Sequence, residues 1–279
     1  MKIHGSSLVL NLFSISFLAC TSSAYKEFCN PQKNSSCIAR NRALQEPVKD
    51  PLTNNSAAFA GSNSCPLLCP CDNGTNFGIS QRFDNPRLSS TEYILYGRAE
   101  ADIMGAPGQG IISSFYLQSD DLDEIDIAEI FGSAPAVYQT NFFVKGDVAN
   151  YADGAYHRVT NSTTQNFHRY GVQWNRSEIE WTLDGQVVRH RAGGTLPSSP
   201  MRVILSLWVG GDEANDPGTV QWAGGPTDFA DAPFSMYARN IYVENYSDGG
   251  CYVYETNSTV SIEDECRQSQ YFVKWNSTS

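Results

Sequence analysis

Six carboxylates fall within ten residues in Asp120-Asp121-Leu122-Asp123-Glu124-Ile125-Asp126-Ile127-Ala128-Glu129. A plain acidic run stays solvated, but Ile125, Ile127 and Ile130 thread through this one, which is the pattern of a buried strand. Alternate side chains of a strand share a face, so Glu124 and Asp126 point together while Ile125 and Ile127 enter a core. Carboxylates aligned in this way repel one another and lose hydration, which is costly unless they bind a cation or perform chemistry. Strict alternation puts Ala128, not Glu129, on the Glu124 face. Glu129 joins that face only if one extra residue bulges out near Ile127–Ala128, and such a bulge is expected. Two glutamates then flank Asp126. A retaining glycosidase needs this kind of pair: a nucleophile and a proton donor about 5–5.5 Å apart. The plainer readings are a calcium-binding acidic loop or an edge strand guarded by charge. If Ala128 holds the proton-donor position instead, the site binds carbohydrate without cleaving it.

Such residues must be positioned by strands. Short alternating apolar runs occur at Tyr93–Ile103, Ile111–Leu117, Glu124–Phe131, Tyr138–Val144, His168–Trp174, Ile179–Leu183, Gln186–His190, Met201–Trp208 and Met236–Val243. Asp184-Gly185 between two of them is a hairpin turn signal. No long helical period and no internal repeat is present, so the expected fold is all-β, a sandwich or barrel. A tryptophan inside a strand is usually core, and Trp174 is read that way. Trp208 precedes Gly210-Gly211 and Trp222 precedes Gly224-Gly225; glycines beside an aromatic leave its face open, so both are candidate sugar-stacking platforms. His157 and His168 read as structural or surface histidines. No Ser-His-Asp order and no phosphate-cradling loop with its lysine is found.

The chain has 279 residues and a net charge of −11, which becomes −12 without Lys2. An acidic protein with no basic cluster is a poor partner for nucleic acid or an anionic membrane. Residues 1–24 read as a secretory signal peptide: Lys2, an apolar segment from Leu8 to Ala19 too short to span a bilayer, then Ser22-Ser23-Ala24. Eight N-x-S/T sequons, at Asn34, Asn54, Asn73, Asn161, Asn175, Asn245, Asn257 and Asn276, agree with export. Seven cysteines remain after the leader, at 29, 37, 65, 69, 71, 251 and 266, so at least one thiol is left over or pairs between chains. Cys29–Cys37 and Cys251–Cys266 are the expected local pairs, and the connectivity of Cys65, Cys69 and Cys71 stays open. A zinc site there lacks a nearby histidine. Residues 25–78, rich in Asn, Ser, Pro and Cys, read as a disulfide-tethered N-terminal extension in which 41–62 is either a linker or an ordered surface loop. Residues 79–247 read as the catalytic domain and 248–279 as a Cys-containing tail. The polar Asn276-Ser277-Thr278-Ser279 end carries no apolar lipid-anchor signal, which suits a soluble secreted form or a truncated sequence.

Several blocks in one order resemble a known family. Tyr96-Gly97-Arg98, the stretch Ala106-Pro107-Gly108-Gln109-Gly110-Ile111-Ile112-Ser113-Ser114, Leu117-Gln118-Ser119 running into the acidic motif, and Gln139-Thr140-Asn141 are similar to the fungal Crh-type cell-wall transglycosylases of glycoside hydrolase family 16. So are Trp208-Val209-Gly210-Gly211-Asp212, Pro217-Gly218-Thr219 and Trp222-Ala223-Gly224-Gly225, and the likeness runs from about Cys29 to Tyr246. The resemblance implies a concanavalin-like jelly roll of two curved antiparallel sheets with the catalytic strand on the concave face. It implies an activity linking chitin to β-glucan, without cofactor or metal, by a secreted monomer acting at the cell wall. By position, Glu124 corresponds to the nucleophile, Asp126 to its assistant and Glu129 to the acid/base. Trp208 and Thr219 match sugar-contacting positions, and Trp222 and Gln139 complete the substrate-binding candidates. Two departures stand out. Crh-type members usually carry ExDxE, whereas this chain has ExDxxE, a spacing found in the wider family on a bulged strand. The family also tends to have a basic residue where this chain has Ile204. The alternative activity is β-glucan hydrolysis on the same fold.

Overall fold

The computed structural model describes residues 30–31, 33, 40–61, 67–147, 153–254 and 259–266. Its architecture is two large antiparallel sheets face to face. One has seven strands in the order β11-β10-β9-β8-β15-β6-β3: β3 (Phe59–Gly61), β6 (Arg87–Ser90), β8 (Ile111–Ser119), β9 (Glu124–Phe131), β10 (Val137–Phe143), β11 (Ala155–Arg158) and β15 (Met201–Val209). The other runs β14-β13-β12-β7-β16-β5-β4: β4 (Leu68–Cys71), β5 (Gly74–Ile79), β7 (Gly97–Met104), β12 (His168–Trp174), β13 (Glu178–Leu183), β14 (Gln186–Ala192) and β16 (Phe234–Asn245), with β2 (Val48–Asp50) also pairing β16. A third, small sheet joins β1 (Arg40–Arg42), β17 (Cys251–Tyr254) and β18 (Val260–Glu263). Each of the nine alternating runs contains a strand, though in the first, Tyr93–Ile103, β7 begins only at Gly97. Asp184 and Gly185 both take positive φ, 50° and 78°, which a two-residue turn between right-twisted strands demands.

The core lies between the large sheets. In β8 the inward set is Ile111, Phe115 and Leu117; in β15 it is Met201, Val203, Leu205, Leu207 and Val209, all at most 9% exposed. Trp174 and Trp181 are completely buried there, and Trp174 satisfies its indole by donating to Pro197 O at 2.9 Å. The intervening residues of β8 and β15 face outward, and this outward face carries the site. Trp208 and Ser206 lie on it, and so does Ile204, which is buried by its neighbours but stands outside the inter-sheet core.

The described parts of 25–78 are woven into the sheets: β1 pairs β17, β2 pairs β16, β3 pairs β6, and β4 pairs β5. These strands are three or four residues long except β5, too short for a period-two pattern to show in sequence. In the C-terminal stretch β17 and β18 pair with each other, and the expected Cys251–Cys266 disulfide closes them. Cys69 is disulfide-bonded and Cys71 is a free thiol; Cys29–Cys37 and the leader lie outside the described residues. One helix, α1 (Pro217–Trp222), was not expected from the sequence. It spans six residues and starts on a proline, so it never develops a helical repeat. Among the described residues no helix is long and apolar enough to cross a membrane.

Candidate active site

The bulge forms where the spacing requires it. Against β8, Glu124 faces Gln118, Asp126 faces Tyr116, Ala128 faces Phe115 and Glu129 faces Ser114, which leaves Ile127 as the extra residue. Against β10, Asp126 faces Asn141 and Glu129 faces Gln139. Ile127 and Ala128 therefore both pack into the core, while Glu129 returns to the outer face with Glu124. A cleft of about 290 Å³ opens there, lined by both glutamates with Ser114, Tyr116, Gln118, Ser206 and Trp208 and, at its β6 end, Asn85 and Arg87.

The three carboxyls differ in how they hold protons. Burial pushes Glu129 up to about 8; Ser114 opposes this by donating to Glu129 Oε2 at 2.7 Å, and the charge of Glu124 adds to it. Burial also raises Glu124 above its ordinary range, and hydrogen bonds from Asp126 and Gln118 with the nearby Arg87 guanidinium offset part of that rise. Asp126 is raised well above its ordinary range, by burial first and then by the charges of Glu124 and Glu129. Their shared hydrogen bond lowers Glu124 and raises Asp126, so Asp126 is the donor and keeps the proton. Glu124 thus accepts from both Asp126 and Gln118, while Glu129, raised to about 8, favours its protonated form at neutral pH across the same cleft.

The aromatic candidates form one connected wall. Trp208 Nε1 donates to Ser114 Oγ at 2.9 Å, so Trp208, Ser114 and Glu129 make a chain that fixes the Glu129 carboxyl. The Trp208 and Trp222 rings are 6.0 Å apart and 21° from parallel, and Phe131 packs edge-on against Trp222 at 5.1 Å. Trp222 Nε1 donates to Gln139 Oε1 at 3.0 Å, so Gln139 anchors Trp222 from β10. Thr219 sits half-buried in α1, its carbonyl accepting from Ala223 N at 2.9 Å. The glycines beside the tryptophans permit close packing. A Cβ on Gly210 would lie 2.7 Å from Ala223 Cβ, and one on Gly211 would lie 2.4 Å from Gly225 O. They let the loop after β15 and the end of α1 touch, which brings Trp222 against Trp208.

The rest of the acidic run is structural. Asp120 accepts from Tyr93 Oη at 2.9 Å and Asn41 Nδ2 at 2.8 Å. Asp121 and Asp123 are fully buried around Lys145 Nζ, at 2.5 and 3.1 Å, and Asp123 also accepts from the backbone of Lys145, Ser198 and Ser199. The Lys145 ammonium neutralises both carboxylates. Among the described residues no group of three or more His, Cys, Asp or Glu is arranged to hold a metal. The two histidines have ordinary partners: His168 Nδ1 is 2.8 Å from Asp184 Oδ2, and His157 Nε2 is 2.9 Å from Thr140 Oγ1.

Sequence reasoning did not single out Arg87, Ser114 or Gln118 as site residues. Ser114 and Gln118 carry a signal in retrospect, since they sit at even spacing on a strand with apolar Phe115 and Leu117 at the alternate positions between them. Arg87 carries none; it reaches the cleft only because β6 pairs with β15, with Arg87 opposite Ser206. It places a cation near the cleft from the strand beside Ile204, where the family's basic residue is missing.

Residues 59–224 match the family described as Glycosyl hydrolases family 16. Crh-like protein CRH12 of Candida albicans is 43% identical over 229 residues, covering 81% of this chain and 45% of the relative. Congo red hypersensitive protein 1 of Saccharomyces cerevisiae is 40% identical over 240 residues, 84% of this chain and 47% of the relative. The chain thus spans about half the length of these curated relatives. Among solved structures, a Crh5 transglycosylase in complex with NAG superimposes with a TM-score of 0.78 at 32% identity, covering 84% of this chain and all of that one. A Bacillus licheniformis beta-glucanase superimposes at 0.62 with 19% identity, over 73% of this chain and 99% of that one, which speaks to the fold alone.

Proposed function

This chain belongs to glycosyl hydrolases family 16, and we propose that it is a retaining glycosidase and transglycosylase of fungal cell-wall polysaccharide. It cleaves chitin and transfers the released glycosyl group to β-glucan or chitin. In the first step Glu124 attacks the anomeric carbon while Glu129 gives its proton to the departing glycosidic oxygen, so the C–O bond breaks as the glycosyl–Glu124 ester forms. Asp126 holds Glu124 by hydrogen bond and takes part in neither transfer. In the second step Glu129, now ionised, removes a proton from an acceptor sugar hydroxyl or from water, and that oxygen displaces Glu124. Transfer outcompetes hydrolysis to the degree that sugar, held on the aromatic wall, excludes water from the ester.

The observation that carries this reading is the bulged strand that brings Glu124 and Glu129 onto one cleft, with burial raising Glu129 to about 8. The leader-like start and the many sequons support export to the wall, and the cleft holds no cofactor in this scheme. The decisive experiment is mass spectrometry of products from a labelled chitin oligomer incubated with a glucan acceptor. Label in a chitin–glucan hybrid supports transfer; shortened label alone makes the protein a hydrolase; unchanged label with retained binding makes it a carbohydrate-binding protein.

A further inference from the structure

We propose that Phe83 is a remote sugar-stacking platform that engages a long β-linked polysaccharide beyond the β6 end of the cleft, an inference that rests on the glycan reading above. The ring sits at the tip of a tight turn, Gln81–Asp84, closed by Asp84 N donating to Gln81 O at 3.2 Å. The Asp84 carboxylate reinforces the turn by accepting from Ser80 N at 2.8 Å and Gln81 N at 3.0 Å. Phe83 occupies the third position with φ 73°. That position of such a turn is ordinarily glycine or asparagine, because an L side chain there crowds its own backbone. A phenylalanine is thus conformationally the wrong residue. Burial does not explain it either, since Phe83 is 80% exposed. Backbone strain kept alongside an exposed aromatic is a pattern of ligand-contacting turns.

The ring is also held ready. The Arg82 guanidinium stands 4.9 Å from its centroid. Arg82 is in turn locked by two hydrogen bonds to Asp212, at 2.6 and 2.7 Å, and one to Glu213 at 3.0 Å. The Arg82 charge is spent on these partners, so what the turn offers a ligand is a backed, solvent-facing aromatic surface. That suits the apolar face of a neutral pyranose rather than an acidic group.

Its place in the fold connects it to the cleft. Asn85 and Arg87, just after the turn, line the cleft, and Asp212 and Glu213 follow the strand that carries Trp208. β6 is three strands from β9 in the sheet, roughly 14 Å at about 4.8 Å per strand. Trp222, bound to Gln139 on β10 and stacked on Trp208 of β15, spans the strands between them. A polysaccharide leaving that aromatic wall on the β6 side would meet the Phe83 turn.

The test uses Phe83→Gly and Phe83→Tyr, with binding measured in the Glu124→Gln background against chitin and β-glucan oligomers of increasing length. Glycine relieves the turn, so its melting temperature should equal or exceed that of the parent, which separates lost stacking from lost folding. The parent should gain affinity once the oligomer is long enough to reach the turn. The glycine variant should lack that gain, binding long oligomers roughly five- to tenfold more weakly while short ones bind as before. Tyrosine should restore it. Equal length dependence in parent and glycine variant overturns the platform and leaves the enzyme reading standing. A wild-type protein that neither binds nor turns over oligomers of any length overturns both.

Discussion

Replacing Glu129 by Gln should stabilise the protein at neutral pH while abolishing its catalysis. Burial lifts Glu129 from its ordinary 4.5 to about 8. A carboxyl whose proton is held more tightly in the folded state favours folding fully below 4.5 and loses that contribution as pH rises through about 8. Between those limits the loss approaches roughly 5 kcal/mol, and at pH 7 it is already roughly 3 kcal/mol. Glutamine has the same shape, can still accept the Ser114 hydroxyl bonded at 2.7 Å, and does not titrate. The two proteins should therefore match near pH 4.5 and diverge above it, with the glutamine variant melting roughly 6–12 °C higher at pH 7. Urea or thermal unfolding at several pH values between about 4.5 and 8 reads this directly. Glu124 and Asp126, raised in the same direction, leave some slope in both proteins, so the difference between them is the quantity to plot. A constant difference across that range refutes the claim that Glu129 enters the cleft protonated, and with it the acid role.

Glu124→Gln should abolish turnover with oligosaccharide binding and melting temperature retained; it should also lower the Glu129 titration below about 8, because the Glu124 charge contributes to raising it, which carboxyl-selective infrared or NMR titration can follow. Trp222→Ala should spare donor cleavage and shift products towards hydrolysis, read as the ratio of transfer product to new reducing ends at fixed acceptor concentration; an unchanged ratio removes Trp222 from acceptor choice. Lys145→Met leaves Asp121 and Asp123 buried without their cation and should cost about 3–5 kcal/mol in urea unfolding, whereas an exposed ion pair would cost under about 1 kcal/mol. Arg189→Met should lower kcat by roughly ten- to a hundredfold with KM little changed, and Arg189→Lys should recover part of that loss.

What the sequence disclosed and what it hid have separate causes. The bulged strand was legible because one face must stay apolar: only a bulge at Ile127–Ala128 keeps Ile125, Ile127 and Ile130 in the core and still gathers Glu124 and Glu129. Trp208 was legible for the same reason, standing at an outward position of a strand whose inward positions are Val203, Leu205, Leu207 and Val209. Arg87 and Phe83 were not, because their roles come from pairings and ion pairs to residues more than a hundred positions away, β6 with β15 and Arg82 with Asp212. The motif allowed a calcium-binding reading because Lys145, which neutralises Asp121 and Asp123, lies outside it. The short α1 escaped notice because a single turn and a half beginning on proline has no period to read, yet it determines where Trp222 sits.

The remaining question is what holds a bulged strand still enough for chemistry. A bulge interrupts the ladder and leaves backbone carbonyls with no strand partner, and buried unpaired carbonyls are costly. Here the opposite sheet adds donors to the two strands at the bulge. Trp181 on β13 donates its indole N–H to Asp126 O at 2.9 Å, on the core side of the strand. Arg189 on β14 donates to Thr140 O at 2.9 Å and Thr140 Oγ1 at 3.0 Å, on β10 where the register slips between Gln139 and Asn141. The two donors brace each other, the guanidinium lying 4.4 Å from the Trp181 ring centroid. Arg189 also acts through space, since its charge opposes the rise in the Asp126 pKa. These contacts set Arg189 apart from the residues lining the cleft, and from there it would act by positioning the bulge. Losing it should loosen Thr140 and the bulge beside it, and the Glu124–Asp126 hydrogen bond with them. The discriminating signature is the kcat loss with KM nearly unchanged and its partial recovery by lysine, because a merely structural arginine would change melting temperature and leave the turnover of the folded fraction alone.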